Sequence, residues 1–219
     1  MKILILRHLE SEKNKNKAFS SIYDSEQLTT KGRIKGTSIA KDIKAYVESE
    51  SLKVNNIYCA NSIRSIMTAQ YITNALKVGI KSYDELRSNN SGSLLGKNEK
   101  EALIENPLFM KQLKLFRSGL YSSYDFVKVH EREDKRDFEL RVNTCINSIL
   151  KDESEDLKIF VLHHSSLTAV MINFARTYYN YPVNFYGRVD CDLGNIYLID
   201  SEQIILCNSP TKDLIKVLR

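Results

Sequence analysis

The groups best suited to chemistry in this chain are two arginines and three histidines: Arg7 with His8, then Arg64, then His163 with His164. Arg7 and His8 close the apolar run Ile3-Leu4-Ile5-Leu6, and one such pair alone reads as a solvated strand end. Two later stretches change that reading. Arg64 falls in the first turn of the helix expected after a second apolar run, and His163-His164 closes a further run, Ile159-Phe160-Val161-Leu162. Parallel strands would carry these groups to one edge, where open α/β sheets bind their ligands. Two guanidiniums and two imidazoles gathered there suit a phosphate. The planar fork of arginine matches its oxygens, and its charge offsets what develops in the transition state. A neutral imidazole is a competent nucleophile toward phosphorus, giving a phosphohistidine that water can hydrolyse. Such a transfer also needs a proton donor for the leaving oxygen.

Those groups require a scaffold that ends several parallel strands together. The apolar runs at 3–6 and 159–162 and the stretch 54–60 read as buried parallel strands, since helices covering both faces make polar alternation unnecessary, and 78–83 reads as a short third strand. Helices are expected from Thr29 or Thr30 to about residue 50, over 62–76, over 133–150, and from the His163-His164 strand end to about residue 179. Residues 195–200 and 203–207 read as a closing hairpin, while 10–26 and 84–97 are polar loops. Residues 98–130 carry short helical patterns with Phe109, Phe116, Tyr121, Tyr124 and Phe126; they read either as a lid or as an ordinary helical cap on the sheet edge. No repeat, low-complexity tract or linker divides residues 1–219, so a single domain is expected.

Composition narrows the partners. With 42% hydrophobic and 27% charged residues and no apolar run of membrane-spanning length, the chain reads as soluble, without a membrane partner and cytoplasmic. Cys59, Cys145, Cys191 and Cys207 are scattered, which argues for reduced thiols and against a disulfide framework or structural metal. The net charge of +5 suits an anionic substrate, yet no aromatic-and-basic motif points to nucleic acid.

Five segments then resemble one family. Arg7-His8-Leu9-Glu10-Ser11 with Asn14 is similar to the R-H-G-E-S-x-x-N signature of the histidine phosphatase superfamily, which includes the cofactor-dependent phosphoglycerate mutases. Leu28-Thr29-Thr30-Lys31-Gly32 matches its L-T-x-x-G segment, and 60–69 resembles S-x-x-x-R-A-x-x-T-A around Arg64, with Ala60 in place of the serine. Arg132-Glu133-Asp134 with Arg141-Val142 resembles its G-E-S…R-V helix start, and 161–167 its V-x-H-G-N-S-L strand end. The matches come in family order. The resemblance implies an α/β three-layer sandwich of phosphoglycerate mutase-like fold, with a mainly parallel central sheet. It implies His8 as the phosphorylated nucleophile, with Arg7, Arg64 and His163 on the phosphoryl group, and no metal or organic cofactor. Ser11, Asn14 and His164 are expected on the substrate, a small phosphorylated molecule, with inorganic phosphate as product. Aligning Ser166-Leu167 with the family's S-L selects His163 as the pocket histidine, whereas a shift by one would select His164. A homodimer is left open.

The chain also departs from the family. Ser88 stands where the family's acid glutamate belongs, and a serine hydroxyl is far too weak an acid near neutral pH. Glu85 is the first substitute expected, with Asp84 beside it; His164 is another; the absence of any acid is the third reading. Asn89 and Ser91 replace residues that help mutases hold phosphoglycerate, which argues against a mutase. Leu9 and His164 stand where most members have small residues, and their bulk is expected to reshape the pocket.

Overall fold

A computed structural model describes residues 1–16, 19, 27–183 and 186–217. The four stretches form parallel strands β1 (Lys2–Arg7), β2 (Asn56–Ala60), β3 (Gly79–Tyr83, mostly exposed at the sheet edge) and β4 (Leu157–Leu162). A hairpin, β5 (Asn195–Asp200) and β6 (Gln203–Pro210), joins antiparallel beside β1, giving the order β3-β2-β4-β1-β5-β6. β4 lies between β1 and β2, with Leu4 opposite Ile159 and Tyr58 opposite Phe160. Strand pleating sends successive side chains to opposite faces, and both faces are apolar.

Each face meets its own helices. Leu4, Leu6, Ile57 and Val161 pack against Ile39 and Ile43 of α2 (Thr30–Ser49) and Ile72 of α3 (Ile63–Leu76). Ile5, Tyr58, Phe160 and Leu162 pack against Phe138 and Val142 of α6 (Lys135–Leu150) and Leu167 and Phe174 of α7 (His164–Tyr178). The result is a three-layer α/β sandwich with a mainly parallel sheet. Each fully buried aliphatic side chain contributes about 1.5–3 kcal/mol. Thr29 caps α2 by accepting from the Gly32 N–H at 3.0 Å, and Ser62 caps α3 through the Ser65 N–H.

Several boundaries differ from the sequence reading for physical reasons. β4 starts at Leu157, two residues before its apolar run, because Lys158 is buried against Glu155 at 2.8 Å. Glu155 also accepts from the Asn55 and Asn56 N–H groups and from the Tyr58 hydroxyl. In the polar stretch after His8 a short helix, α1 (Glu12–Asn16), replaces the expected loop; residues 17, 18 and 20–26 of that stretch lie outside the described residues. Asn14 fixes its start by accepting from both the backbone N–H and the hydroxyl of Ser11. The segment 98–130 contains α4 (Glu99–Glu105), opened by an Asn98–Glu101 capping box, and α5 (Pro107–Arg117). Its aromatics pack in two small clusters, one around Phe109 and Met110 and one joining Phe116 to Ile172 and Tyr186. Among the described residues no helix is long and apolar enough to cross a membrane.

Candidate active site

Three neighbouring strands deliver the chemistry. His8 follows β1 and continues its pairing, its N–H donating to the Leu162 carbonyl at 3.0 Å. His163 follows β4 and stands at the cap position of α7. Arg64 lies in the first turn of α3, directly after β2. Because β4 sits between β1 and β2, His163 falls between the other two, and Arg64 reaches both imidazoles. Its Nε donates to His8 Nε2 at 3.2 Å and its Nη2 to His163 Nδ1 at 3.1 Å. Thr68, one turn along α3, ties the two elements together: its hydroxyl donates to the Arg64 carbonyl at 2.7 Å and accepts from the Leu9 N–H at 3.1 Å.

A guanidinium only donates, so these contacts fix both tautomers. His8 carries its proton on Nδ1, donating to the Leu9 carbonyl at 2.7 Å, and keeps a lone pair on Nε2. His163 carries its proton on Nε2, donating to the Ser62 hydroxyl at 3.2 Å. The two rings meet edge to face with centroids 5.1 Å apart. Burial, followed by the charge of Arg64, holds both imidazoles well below the usual histidine pKa. His8 is thus a neutral imidazole whose Nε2 lone pair faces cations.

These groups line a cavity of about 380 Å³ at the strand ends, shared with Asn14, Ser88, Asn89 and His164. Arg7 lines it too, held by a hydrogen bond to the Cys191 carbonyl, with its Nε buried and unpartnered. His164 comes in beside Arg7 and Arg188, and burial with those two charges lowers its pKa to about 3. Its Nε2 is buried without a partner. Ser88 presents a hydroxyl to the cavity, and no carboxylate is among the described residues lining it.

Some expected residues are placed elsewhere. Glu85 is exposed and lines a different cavity with Tyr58, Lys81 and Arg141, because the 3-10 turn Asp84–Leu86 points it away from the histidines. Asp84 is also exposed and accepts from the Asn61 amide at 2.7 Å. The structure therefore gives the expectation that Glu85 donates the leaving-group proton no geometric support. Ser11 is fully buried and acts on the chain itself, bonding Asn14 rather than lining the cavity. Leu9 is fully buried in the α2–α3 core, so of the two bulky replacements only His164 shapes the cavity.

The cavity also contains cations that sequence reasoning did not single out as site residues: Lys13, Arg117, Arg132, Lys135 and Arg188. Most look like ordinary surface charge in the sequence. Lys135 did leave a signal, since it shares one helical stripe with Phe138, Val142, Ile146 and Ile149 and must therefore face inward. Among the described residues no cluster of metal ligands occurs.

Comparison with known proteins bears on the fold and the family. No curated protein matches the chain. The fold is shared with Bacillus stearothermophilus YhfR (TM-score 0.76, 19% identity, covering 95% of this chain and 96% of that one). It is also shared with a mycobacterial glucosyl-3-phosphoglycerate phosphatase in complex with VO3 (TM-score 0.74, 14% identity, 95% and 99% covered). A phosphoserine phosphatase variant from Entamoeba histolytica in complex with phosphoserine is similar as well (TM-score 0.67, 16% identity, 95% and 96% covered). The family model of the histidine phosphatase superfamily, branch 1, matches residues 3–203, and the chain belongs to that superfamily.

Proposed function

We propose that this protein is a phosphomonoesterase that acts on a small phosphorylated metabolite through a phosphohistidine on His8. The observation that carries this reading is the Arg64 bridge between two neutral, buried imidazoles at the strand ends. A phosphoryl group entering there takes over the guanidinium protons and leaves the Nε2 lone pair free to attack. The N–P bond forms as the bond from phosphorus to the leaving oxygen breaks, and that oxygen takes up a proton from solvent water. Water then attacks phosphorus and gives up a proton to solvent, the N–P bond breaks, and inorganic phosphate is released with His8 neutral again. Arg7 and Arg64 hold the oxygens that gain charge at each step, and His163 joins them through its Nε2–H, which without substrate donates to Ser62. Structural neighbours named as phosphoserine and glucosyl-3-phosphoglycerate phosphatases support a phosphatase over a mutase.

The weak point of the chemistry is the leaving-group proton. His164, with a pKa of about 3, is a poor donor near neutral pH, and no described carboxylate lines the cavity. That favours a second reading, a phosphate-binding protein that turns over nothing. Both are tested by assaying p-nitrophenyl phosphate beside an alkyl phosphate, on wild type and His8→Ala. The proposal expects cleavage of the aryl ester faster by about two orders of magnitude or more, since general acid catalysis contributes roughly 10²–10⁴, and none by the variant. Cleavage of neither ester at any pH would leave the binding protein as the reading.

A further inference from the structure

Arg132 and Lys135 stand on the cavity wall at the start of α6, outside the Arg64–imidazole chain. Lys135 is only 7% exposed. Its Nζ lies 5.2 Å from the Tyr186 ring centroid, 5.7 Å from Phe116 and 5.8 Å from Phe126. The Arg132 guanidinium lies 4.8 Å over Phe109 and 5.6 Å over Phe126. Among the described residues no carboxylate forms an ion pair with either. By contrast, Arg117 is paired with Glu99 and Arg188 with Asp190 at 2.8 Å.

Ring faces return only part of what water gives a cation. A cation–π contact contributes about 0.5–2 kcal/mol, whereas burying an ion costs several. The deficit is evident at Lys135, whose ammonium is held down to about 7 by burial and then by Arg132. An anion delivered into the cavity would remove the deficit of both groups together. Asn89, where mutases of this family have an arginine, brings no charge; α6 brings it from another direction.

We propose that Arg132 and Lys135 form a second anion-binding subsite, so that the substrate is a small phosphomonoester bearing a further anionic group, a carboxylate or a second phosphate. This deepens the phosphomonoesterase reading and rests on it. The test is calorimetric and needs no turnover. Binding of 3-phosphonopropionate is compared with that of propylphosphonate, and the same is done for the homologous pairs one carbon shorter and one longer. Wild type is expected to bind one phosphonocarboxylate about tenfold or more tighter than its partner without the carboxylate. In Lys135→Met and in Arg132→Met that ratio falls toward unity. Because the ratio is taken within each variant, a general loss of folded protein cancels. Equal binding of both partners of all three pairs by wild type overturns the subsite, as does a preference that survives both substitutions. If p-nitrophenyl phosphate is cleaved yet the pairs bind equally, only the subsite fails. Neither probe bound and no ester cleaved means that the phosphatase reading itself has failed.

Discussion

At the scale of the residue, function rests on the geometry of one guanidinium. Arg64 donates from two different nitrogens to two imidazoles that face it from neighbouring strands. A lysine has one ammonium on a flexible stem and cannot span both with fixed angles. Arg64→Lys is therefore expected to lower kcat/KM for an aryl phosphate on the order of 10²–10³-fold, the cost of removing one oxyanion-binding donor. A loss below tenfold, with the variant folded by circular dichroism, would mean that charge alone suffices there and that the fork is unimportant. Most of this residue-scale chemistry was legible beforehand, because arginine and histidine at strand ends have no part in folding. The acid was not. Glu85 and Ser88 lie three positions apart on one loop, and only the turn at Asp84–Leu86 decides that the hydroxyl faces the cavity and the carboxylate does not.

At the scale of the element, the site depends on how closely α2 approaches the segment that follows β1. A Cβ built on Gly32 would lie 2.3 Å from the Glu10 carbonyl oxygen, a backbone atom that no rotamer change can move. The Thr29 N–H donates to that same carbonyl at 3.0 Å, so the helix start and the segment carrying His8 to Asn14 are locked together. Gly32→Ala should displace that segment, costing about 1–3 kcal/mol in urea unfolding, the usual range for overpacking, despite alanine's better helix propensity. A variant as stable as wild type would show that the two elements separate freely. Helix and strand positions were readable from periodicity because each sheet face needs its own apolar stripe. Boundaries failed where polar groups satisfy one another: Lys158 extends β4 only because Glu155 is there to pair with it.

At the scale of the whole molecule, gathering cations and imidazoles at one edge makes the fold acid-sensitive. His8 and His163 are held well below their usual pKa, and His164 at about 3, in each case first by burial. The unfolded chain takes up protons near pH 6.5 while the folded chain does not. The imidazoles' contribution to stability is thus full above about pH 6.5 and falls as the pH drops toward the folded values, by up to roughly 1.4 kcal/mol per imidazole per pH unit. Urea midpoints in phosphate-free buffer are expected to fall steadily from pH 7 to pH 5, and less steeply for His163→Gln. Midpoints that stay flat over that range would show that the imidazoles protonate without unfolding.

The sequence by itself determined the mainly parallel sheet, the helices that sandwich it and the arginines and histidines at its strand ends. These follow from local hydrophobic runs and from polar residues that have no structural use. Tertiary structure alone decided which residues share the cavity. The strand order seats His163 between His8 and Arg64, the turn after β3 excludes Glu85, and the start of α6 brings in Arg132 and Lys135. The physical reason is that a site is a set of distances between segments far apart in the chain, whereas periodicity reports only which way each segment faces.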